Sequence, residues 1–233
     1  FMRIVHSYFD ALVHLWYPHI CLQCGTDQLD KQDVLCRPCI NKLPYTDFEN
    51  EWNNPIHKIF WGRVSFCYAN ALLFFTKESI VQLLITELKY QQNKKAAWML
   101  GRLMGHYMLE QMKTEPVDIL IPIPISPSKK HQRKYNQAQL ICKGIQSVTQ
   151  LPIVEDLLIK PYESASQTHK DRIRRMEAIG QSFQVEHPHK IKNKHLLLVD
   201  DVLTTGATIE AACIALSNTE WKNISVFTAT YTI

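Results

Sequence analysis

The sequence predicts an α/β protein in which helices cover a parallel sheet and a small cysteine-rich module precedes it. Apolar segments of strand length alternate with helical segments from Val64 onward. This alternation is typical of a parallel sheet with helices on both faces. Two Cys-x-x-Cys pairs precede residue 41 and predict a metal-binding module separate from the sheet.

The predicted elements follow one another along the chain. Apolar positions at helical spacing predict a short amphipathic helix over Met2–Trp16, and the lack of periodicity over Leu43–Gly62 predicts a linker. We therefore expect an N-terminal helix, metal module and linker over residues 1–62, and the α/β domain over residues 63–233. The later segments are strand Phe66–Phe75, helix Glu78–Tyr90, helix Lys95–Lys113, strand Val117–Ile123, helix Gln132–Thr149, strand Ile153–Ile159, a polar basic segment Ser164–Gly180, strand His195–Val199, helix Thr205–Leu216 and strand Ser225–Thr232.

Composition limits the size of the core and the kind of partner. With 233 residues, 46% hydrophobic and 21% charged, the chain can bury one full core and a small second module. Its formal net charge of +4 neither requires nor excludes a polyanionic partner. No apolar run is long enough to span a membrane, and no secretory signal is evident at the N-terminus, so we expect a cytoplasmic protein without membrane insertion. Because Phe1 precedes Met2, we expect Phe1 not to belong to the natural chain.

The four N-terminal cysteines have the spacing of a structural zinc site. Cys21 and Cys24 form one pair, Cys36 and Cys39 the other, and each pair can hold one edge of a tetrahedron. Four thiolates leave no open position for catalysis, so the predicted role of the zinc is structural. The alternative is four buried or redox-active thiols without metal, and His19 is a weaker candidate ligand.

An acidic strand end followed by a Thr-Gly turn predicts a sugar-phosphate site. Asp200 and Asp201 follow the apolar strand, and a helix is predicted to begin within the next few residues. Threonine hydroxyls and exposed amides at a helix start favour a phosphate, which indicates a phosphate-binding segment made of Thr204, Thr205, Gly206, Ala207 and Thr208. The two carboxylates would repel that phosphate, so they suit sugar hydroxyls or a bridging metal. A ribose 5-phosphate carries both a phosphate and sugar hydroxyls, so the segment predicts a ribose 5-phosphate site.

Two other interpretations of this segment remain. The acidic strand end also resembles that of a receiver domain, but too little chain follows for the later strand that such a domain needs. The carboxylates could also be solvated turn residues, with one threonine capping the helix.

The segment Leu196–Thr208 resembles the signature of type I phosphoribosyltransferases, and the rest of the chain resembles the ComF family of competence-associated, phosphoribosyltransferase-like proteins. The resemblance covers nearly the full length. It rests on the two cysteine pairs and on Leu88-Lys89-Tyr90, Asp118–Pro124, Arg133–Ala138, and Gln167-Thr168 with Arg175 and Phe183.

This resemblance implies a type I phosphoribosyltransferase-like α/β domain that binds phosphoribosyl diphosphate with Mg²⁺. It implies that Asp200 and Asp201 are the catalytic pair that holds the ribose hydroxyls, and that Thr204–Thr208 holds the 5-phosphate. The turn from Pro122 to Ser126 would approach the diphosphate. The candidate anion contacts are Lys89, Arg133 and Arg175. The family also implies a role in DNA uptake and natural transformation, with competence-machinery proteins as possible partners.

Two positions depart from the family pattern. Lys134 occupies a place that is usually Gly, which predicts a loop geometry that does not require Gly. Ala178 replaces an Asn of the later motif, which predicts the loss of a polar contact and weak catalysis.

Basic runs leave a second class of function open. The runs Lys129–Lys134 and His169–Arg175 coincide with predicted site loops, where a diphosphate needs cations. The same runs could line a groove for single-stranded DNA, with Tyr135 and Tyr162 as stacking platforms. Two further hypotheses are therefore a non-catalytic DNA-handling protein and a sensor of phosphoribosyl diphosphate.

Overall fold

A computed structural model describes residues 19–48, 54–90, 93–161 and 183–232. The chain divides into two compact units, one ending at Leu43 and the other beginning at Pro44. The predicted domain boundary at residues 62–63 therefore lies inside the second unit. The predicted helix Met2–Trp16 and the polar segment Ser164–Gly180 lie outside the described residues.

In the first unit, the described residues 19–43 form turns and a short helix, α1 (Arg37–Ile40). The amide of Leu22 donates to the carbonyl of Val34 and joins the two halves of the unit. Gly25 adopts a left-handed conformation with φ 74° and donates to the carbonyl of Cys21. Glycine adopts this conformation without a steric penalty, and the resulting turn brings Cys24 back toward Cys21.

The second unit contains the predicted parallel sheet. Its strands are β1 (Ala69–Phe75), β2 (Ile119–Pro122), β5 (His195–Leu203) and β6 (Asn223–Thr232), in the spatial order β1-β6-β5-β2. All three pairings are parallel, so the carboxyl ends of the strands lie at one edge. β3 (Leu158–Ile159) and β4 (Gln184–Val185) form a separate antiparallel pair.

Helices cover both faces of this sheet. One face packs on α2 (Pro55–Phe60) and α7 (Ala207–Leu216) in an apolar cluster that includes Phe60, Leu198 and Ile209. The opposite face packs on α3 (Ile80–Tyr90), α4 (Lys94–Gln111) and α6 (Gln137–Thr149), where Tyr107 contacts Phe227 with ring centroids 5.4 Å apart. The strands are therefore buried on both faces, as the alternation of strands and helices in the sequence predicted.

One predicted helix is in fact two, α5 (Pro127–Arg133) and α6. Lys134 takes a left-handed conformation with φ 68° and ends α5. The side chain of Asn136 accepts a hydrogen bond from the amide of Ala138 and starts α6. The prediction of one helix over Gln132–Thr149 was wrong because a run of polar residues gives no periodicity that would reveal a break.

The predicted linker contains a helix as well. Asn54 caps α2 by accepting from the amides of Ile56 and His57, and Pro55 occupies the first helical position. In contrast, the strand predicted over Ile153–Ile159 is not continuous. Ile153 forms a single bridge with Leu120, and Leu158 and Ile159 form the short strand β3. None of the helices within the described ranges combines the length and hydropathy needed to cross a bilayer.

Candidate functional site

The carboxyl ends of β2 and β5 bring most of the predicted site residues to one edge of the sheet. Pro122 pairs with Val199, and the amide of Ile123 donates to the carbonyl of Val199. β5 continues through Asp200 and Asp201 to Leu203, beyond the end predicted from its apolar run. The two carboxylates therefore project from paired strand backbone and have fixed positions.

The acid pair is shielded and has one adjacent cation. Asp201 is 9% exposed, and its amide donates to Oδ1 of Asp200 over 2.8 Å. Nζ of Lys89 lies 3.3 Å from Oδ2 of Asp201. Burial and the neighbouring charge of Asp201 raise the pKa of Asp200 well above its usual value, and Lys89 opposes that rise.

Lys89 is held in place by contacts that the sequence did not reveal. The hydroxyl of Tyr135 donates to the carbonyl of Leu88 over 2.5 Å, in the last turn of α3. The side-chain amide of Asn136 donates to the carbonyl of Ile123 over 3.0 Å, beside β5. Tyr135 and Asn136 therefore tie the end of α3 to the strand edge that carries the acid pair. The motifs pointed to these residues, but no local pattern indicated which backbone groups they bind.

Buried Tyr135 cannot act as a stacking platform. It is 8% exposed and its hydroxyl is bonded, so the prediction that it stacks on a nucleotide base was wrong. Tyr162, the other predicted platform, lies outside the described residues. Tyr90, which follows Lys89 in the sequence, is 62% exposed, and the guanidinium of Arg133 lies 6.0 Å from its ring centroid.

The Thr-Gly turn is open to solvent on one side and closed on the other. Thr204, Thr205, Ala207 and Thr208 are exposed. Gly206 is buried with φ 77°, and a β-carbon there would lie 2.7 Å from the ring of Phe60. Both the backbone conformation and α2 beneath it therefore require glycine. The exposed side presents the N-terminal end of α7, which favours an anion.

The turn from Pro122 to Ser126, which was predicted to approach the diphosphate, borders the same edge of the sheet. Ser126 is 6% exposed and caps α5, and its hydroxyl accepts from the amide of Lys129. The guanidinium of Arg133 donates to the side chain of Gln137, while its Nε is shielded and makes no hydrogen bond to the described residues. Arg175 lies outside the described residues.

A cavity of about 370 Å³ lies elsewhere in the second unit. It is lined by His57 and residues 61–66 and includes none of the predicted site residues. The predicted sugar-phosphate site is therefore an open sheet edge and not this cavity.

The four cysteines of the first unit form a cluster. The sulfur atoms of Cys21, Cys24, Cys36 and Cys39 all lie within 4.8 Å of one another. The amide of Cys36 donates to Sγ of Cys21 over 3.3 Å. His19 instead contacts the carbonyl of Asp33 over 2.7 Å. The cluster therefore has the size and the donor set that a tetrahedral zinc ion needs.

Two cysteines of this cluster differ in acidity. Burial alone would raise the pKa of Cys21, but hydrogen bonds from the backbone of Cys24, Cys36 and Gln23 lower it to about 6. Burial and the neighbouring sulfur atoms raise the pKa of Cys39 to about 12. Only a cation can hold all four sulfurs as thiolates at this spacing.

Comparisons with known proteins agree with the fold and the motifs. Residues 145–231 match the family model described as phosphoribosyl transferase domain. The chain is 27% identical to the DNA utilization protein YhgH of Escherichia coli O157:H7, over 59% of this chain and 62% of that protein. It is 25% identical to the competence protein ComFC of Bacillus subtilis, over 47% of this chain and 43% of that protein. ComFC of Streptococcus pneumoniae is 29% identical, over 56% of each chain.

The comparisons support a ComF-family protein. Its second unit has the α/β phosphoribosyltransferase fold, and its first unit carries the four-cysteine cluster. The chain spans less than two thirds of the length of each of these relatives. Within this chain, the matched domain model includes β5, the acid pair and the Thr-Gly turn.

Proposed function

We propose that this ComF-family protein binds phosphoribosyl diphosphate together with Mg²⁺ and transfers its phosphoribosyl group to an acceptor. The observation that carries the proposal is the order of groups at the end of β5. A shielded acid pair is followed directly by an exposed turn of hydroxyls and amides at a helix N-terminus. A ribose ring is short enough for its hydroxyls and its 5-phosphate to reach both features.

The carboxylates and the turn have separate roles in this proposal. Asp200 and Asp201 accept hydrogen bonds from the ribose hydroxyls, which fixes the ring and places negative charge beside it. The turn Thr204–Thr208 donates hydroxyl and amide hydrogens to the 5-phosphate. When the diphosphate leaves, positive charge develops on the sugar carbon, and the fixed carboxylates stabilise that charge.

The residues present fit a Mg²⁺ ion that enters with the diphosphate. Oδ2 of Asp201 accepts no hydrogen bond from the described residues, although it is paired with Lys89. It can therefore accept from a sugar hydroxyl or from a water of a hydrated ion. When bound, Mg²⁺ would stabilise the negative charge of the leaving diphosphate. Lys89, Arg133 and the Pro122–Ser126 loop are the groups of this chain that would orient it.

The second part of the proposal is a structural zinc ion held by Cys21, Cys24, Cys36 and Cys39. The support is the sulfur cluster, within which every pair of ligand atoms is no more than 4.8 Å apart. Tetrahedral thiolate coordination would place the four sulfurs at comparable separations.

Calorimetric titration of phosphoribosyl diphosphate with Mg²⁺ tests the sugar-phosphate site. We expect binding to the natural protein and at least a hundredfold loss of affinity in the Asp200→Asn/Asp201→Asn variant, because amides are weaker acceptors than carboxylates and carry no charge. The unfolding midpoint of the variant should stay close to that of the natural protein. Binding that is absent in the natural protein, or unchanged in the variant, would contradict the proposal.

A second candidate function is binding of single-stranded DNA. Relatives are named for DNA utilization and for competence, and Lys129 and Lys130 are exposed on α5 beside the site. Such binding should weaken steeply with salt and persist in the Asp200→Asn/Asp201→Asn variant. A fluorescence anisotropy titration of a labelled oligonucleotide at several salt concentrations separates this function from sugar-phosphate binding.

A further inference from the structure

The cation at the acid pair is a side chain of the protein itself, Lys89. Nζ of Lys89 lies 3.3 Å from Oδ2 of Asp201, and the side chains are only 20% and 12% exposed. Tyr135 holds the carbonyl of Leu88, and Asn136 holds the carbonyl of Ile123. Ile123 is in turn bonded to Val199 of β5, the strand that carries the acid pair. The backbone that carries Lys89 is therefore held near β5, while its side chain keeps the rotatable bonds that let the ammonium move.

This placement changes what the carboxylates can bind. Without Lys89, the two shielded neighbouring acids have no ammonium beside them, and a divalent cation can approach their oxygens. Lys89 reduces the negative charge of the pair by one unit, and its ammonium stands at one of the oxygens that a cation would use. At short distances inside a protein one added unit charge changes ion affinity by more than a factor of ten.

We propose that Lys89 keeps a divalent cation from binding to the acid pair alone and moves to the diphosphate when the sugar phosphate arrives. The inference rests on the proposed function and adds an order of binding to it, in which metal and diphosphate enter together. A diphosphate offers the ammonium more negative charge than Asp201 does, so the exchange is favourable. Oδ2 of Asp201 is then free to accept from a ribose hydroxyl or a metal-bound water. Lys89 is a positioning residue in this scheme.

Titration of Mn²⁺ alone tests the exclusion of metal. Free Mn²⁺ is followed by electron paramagnetic resonance in the natural protein and in Lys89→Met, Lys89→Arg and Lys94→Met variants. We expect Lys89→Met to bind Mn²⁺ at least tenfold more tightly than the natural protein does. Lys89→Arg, which keeps the charge, and Lys94→Met, which removes an exposed charge from α4, should both match the natural protein. The four-cysteine cluster does not interfere, because Mn²⁺ prefers oxygen ligands.

Two further variants keep the test decisive. The new Mn²⁺ site should disappear when Asp200→Asn and Asp201→Asn are added to Lys89→Met. If Lys89→Met does not fold, Lys89→Gln removes the same charge with a polar side chain that tolerates the partly exposed position. Equal Mn²⁺ affinity in the natural protein and a folded Lys89 variant would overturn the inference, as would an equal gain in Lys94→Met.

Calorimetry with phosphoribosyl diphosphate and saturating Mg²⁺ tests the exchange. Lys89→Met should bind the compound at least tenfold more weakly than the natural protein, and Lys89→Arg should recover part of the loss. Unchanged affinity in Lys89→Met would overturn the exchange. If the natural protein does not bind the compound, the proposed function and the exchange both fail, while the Mn²⁺ titration still decides whether Lys89 excludes metal.

Discussion

Lys134 holds a backbone conformation that suits glycine. Its φ is 68°, and its amide donates to the carbonyl of Lys130 to end α5. The interpretation that lysine at this place indicates a loop without a need for glycine was therefore wrong. The turn keeps its left-handed geometry because Tyr135 and Asn136, the next two residues, must both reach fixed backbone carbonyls. A side chain in this conformation costs about 1–2 kcal/mol.

We expect Lys134→Gly to stabilise the protein by about 0.5 kcal/mol. Glycine relieves the strain energy of the left-handed conformation. This gain exceeds the free-energy cost of the greater backbone freedom of glycine in the unfolded chain, which is about 0.5–1 kcal/mol. Urea unfolding measures the change. Lys130→Gly is the matched control, since it introduces the same residue into the helical part of α5 and should destabilise by about 1 kcal/mol. A destabilised Lys134→Gly would contradict the assigned strain.

At the scale of secondary-structure elements, the contact between helices α4 and α6 depends on glycines. A β-carbon added at Gly144 would lie 2.3 Å from the carbonyl oxygen of Trp98 and 2.7 Å from the α-carbon of Gly101. A β-carbon at Gly101 would lie 2.1 Å from the carbonyl oxygen of Ile141. The backbones of the two helices therefore touch, and neither can shift without disturbing the sheet face behind it.

Gly144→Ala should destabilise the protein by about 1–3 kcal/mol despite the higher helix propensity of alanine. The added methyl group forces the helix axes apart, which opens gaps beside them. Ser147→Ala on the exposed side of α6 is the control and should change stability by less than about 0.5 kcal/mol. Thermal unfolding of the two variants compares the effects, and equal stability of both would mean that the helices are not in backbone contact.

At the scale of the whole molecule, the two units depend on different forces. Within residues 19–43, the first unit buries few apolar side chains besides its cysteines, namely Val34, Leu35 and Leu43. The unit beginning at Pro44 has an extensive apolar core on both faces of its sheet. We therefore expect the first unit to need a metal and the second to fold without one.

Zinc removal should unfold the first unit and leave the second intact. Cys39→Ser should lower the zinc content, measured by atomic absorption, to less than a tenth of that of the natural protein. Cys67→Ser, outside the cluster, should leave it unchanged. After chelation, hydrogen exchange should rise in residues 19–43 and stay low in β5 and β6. Full protection of residues 19–43 without metal would mean that this unit does not depend on zinc.

The pH dependence of zinc binding follows from the same cysteines. Zinc must displace the proton of Cys39, whose pKa is raised to about 12, so zinc affinity falls as the proton concentration rises. Cys21, with its pKa lowered to about 6, also gains a proton below that pH. Zinc affinity, measured by titration at several pH values, should therefore fall as the pH is lowered and fall more steeply below about pH 6.

The sequence by itself determined the fold class, the pairing of the four cysteines and the resemblance to the ComF family. These depend on local features, since apolar periodicity, cysteine spacing and a contiguous strand-turn-helix motif can all be recognised in residues that are close together in the sequence. The tertiary structure decided the rest. Only folding places Lys89 on Asp201, Phe60 under Gly206, and Tyr135 on the carbonyl of Leu88. These partners are distant in the sequence, and their meeting is set by strand order and helix packing, which no local pattern records.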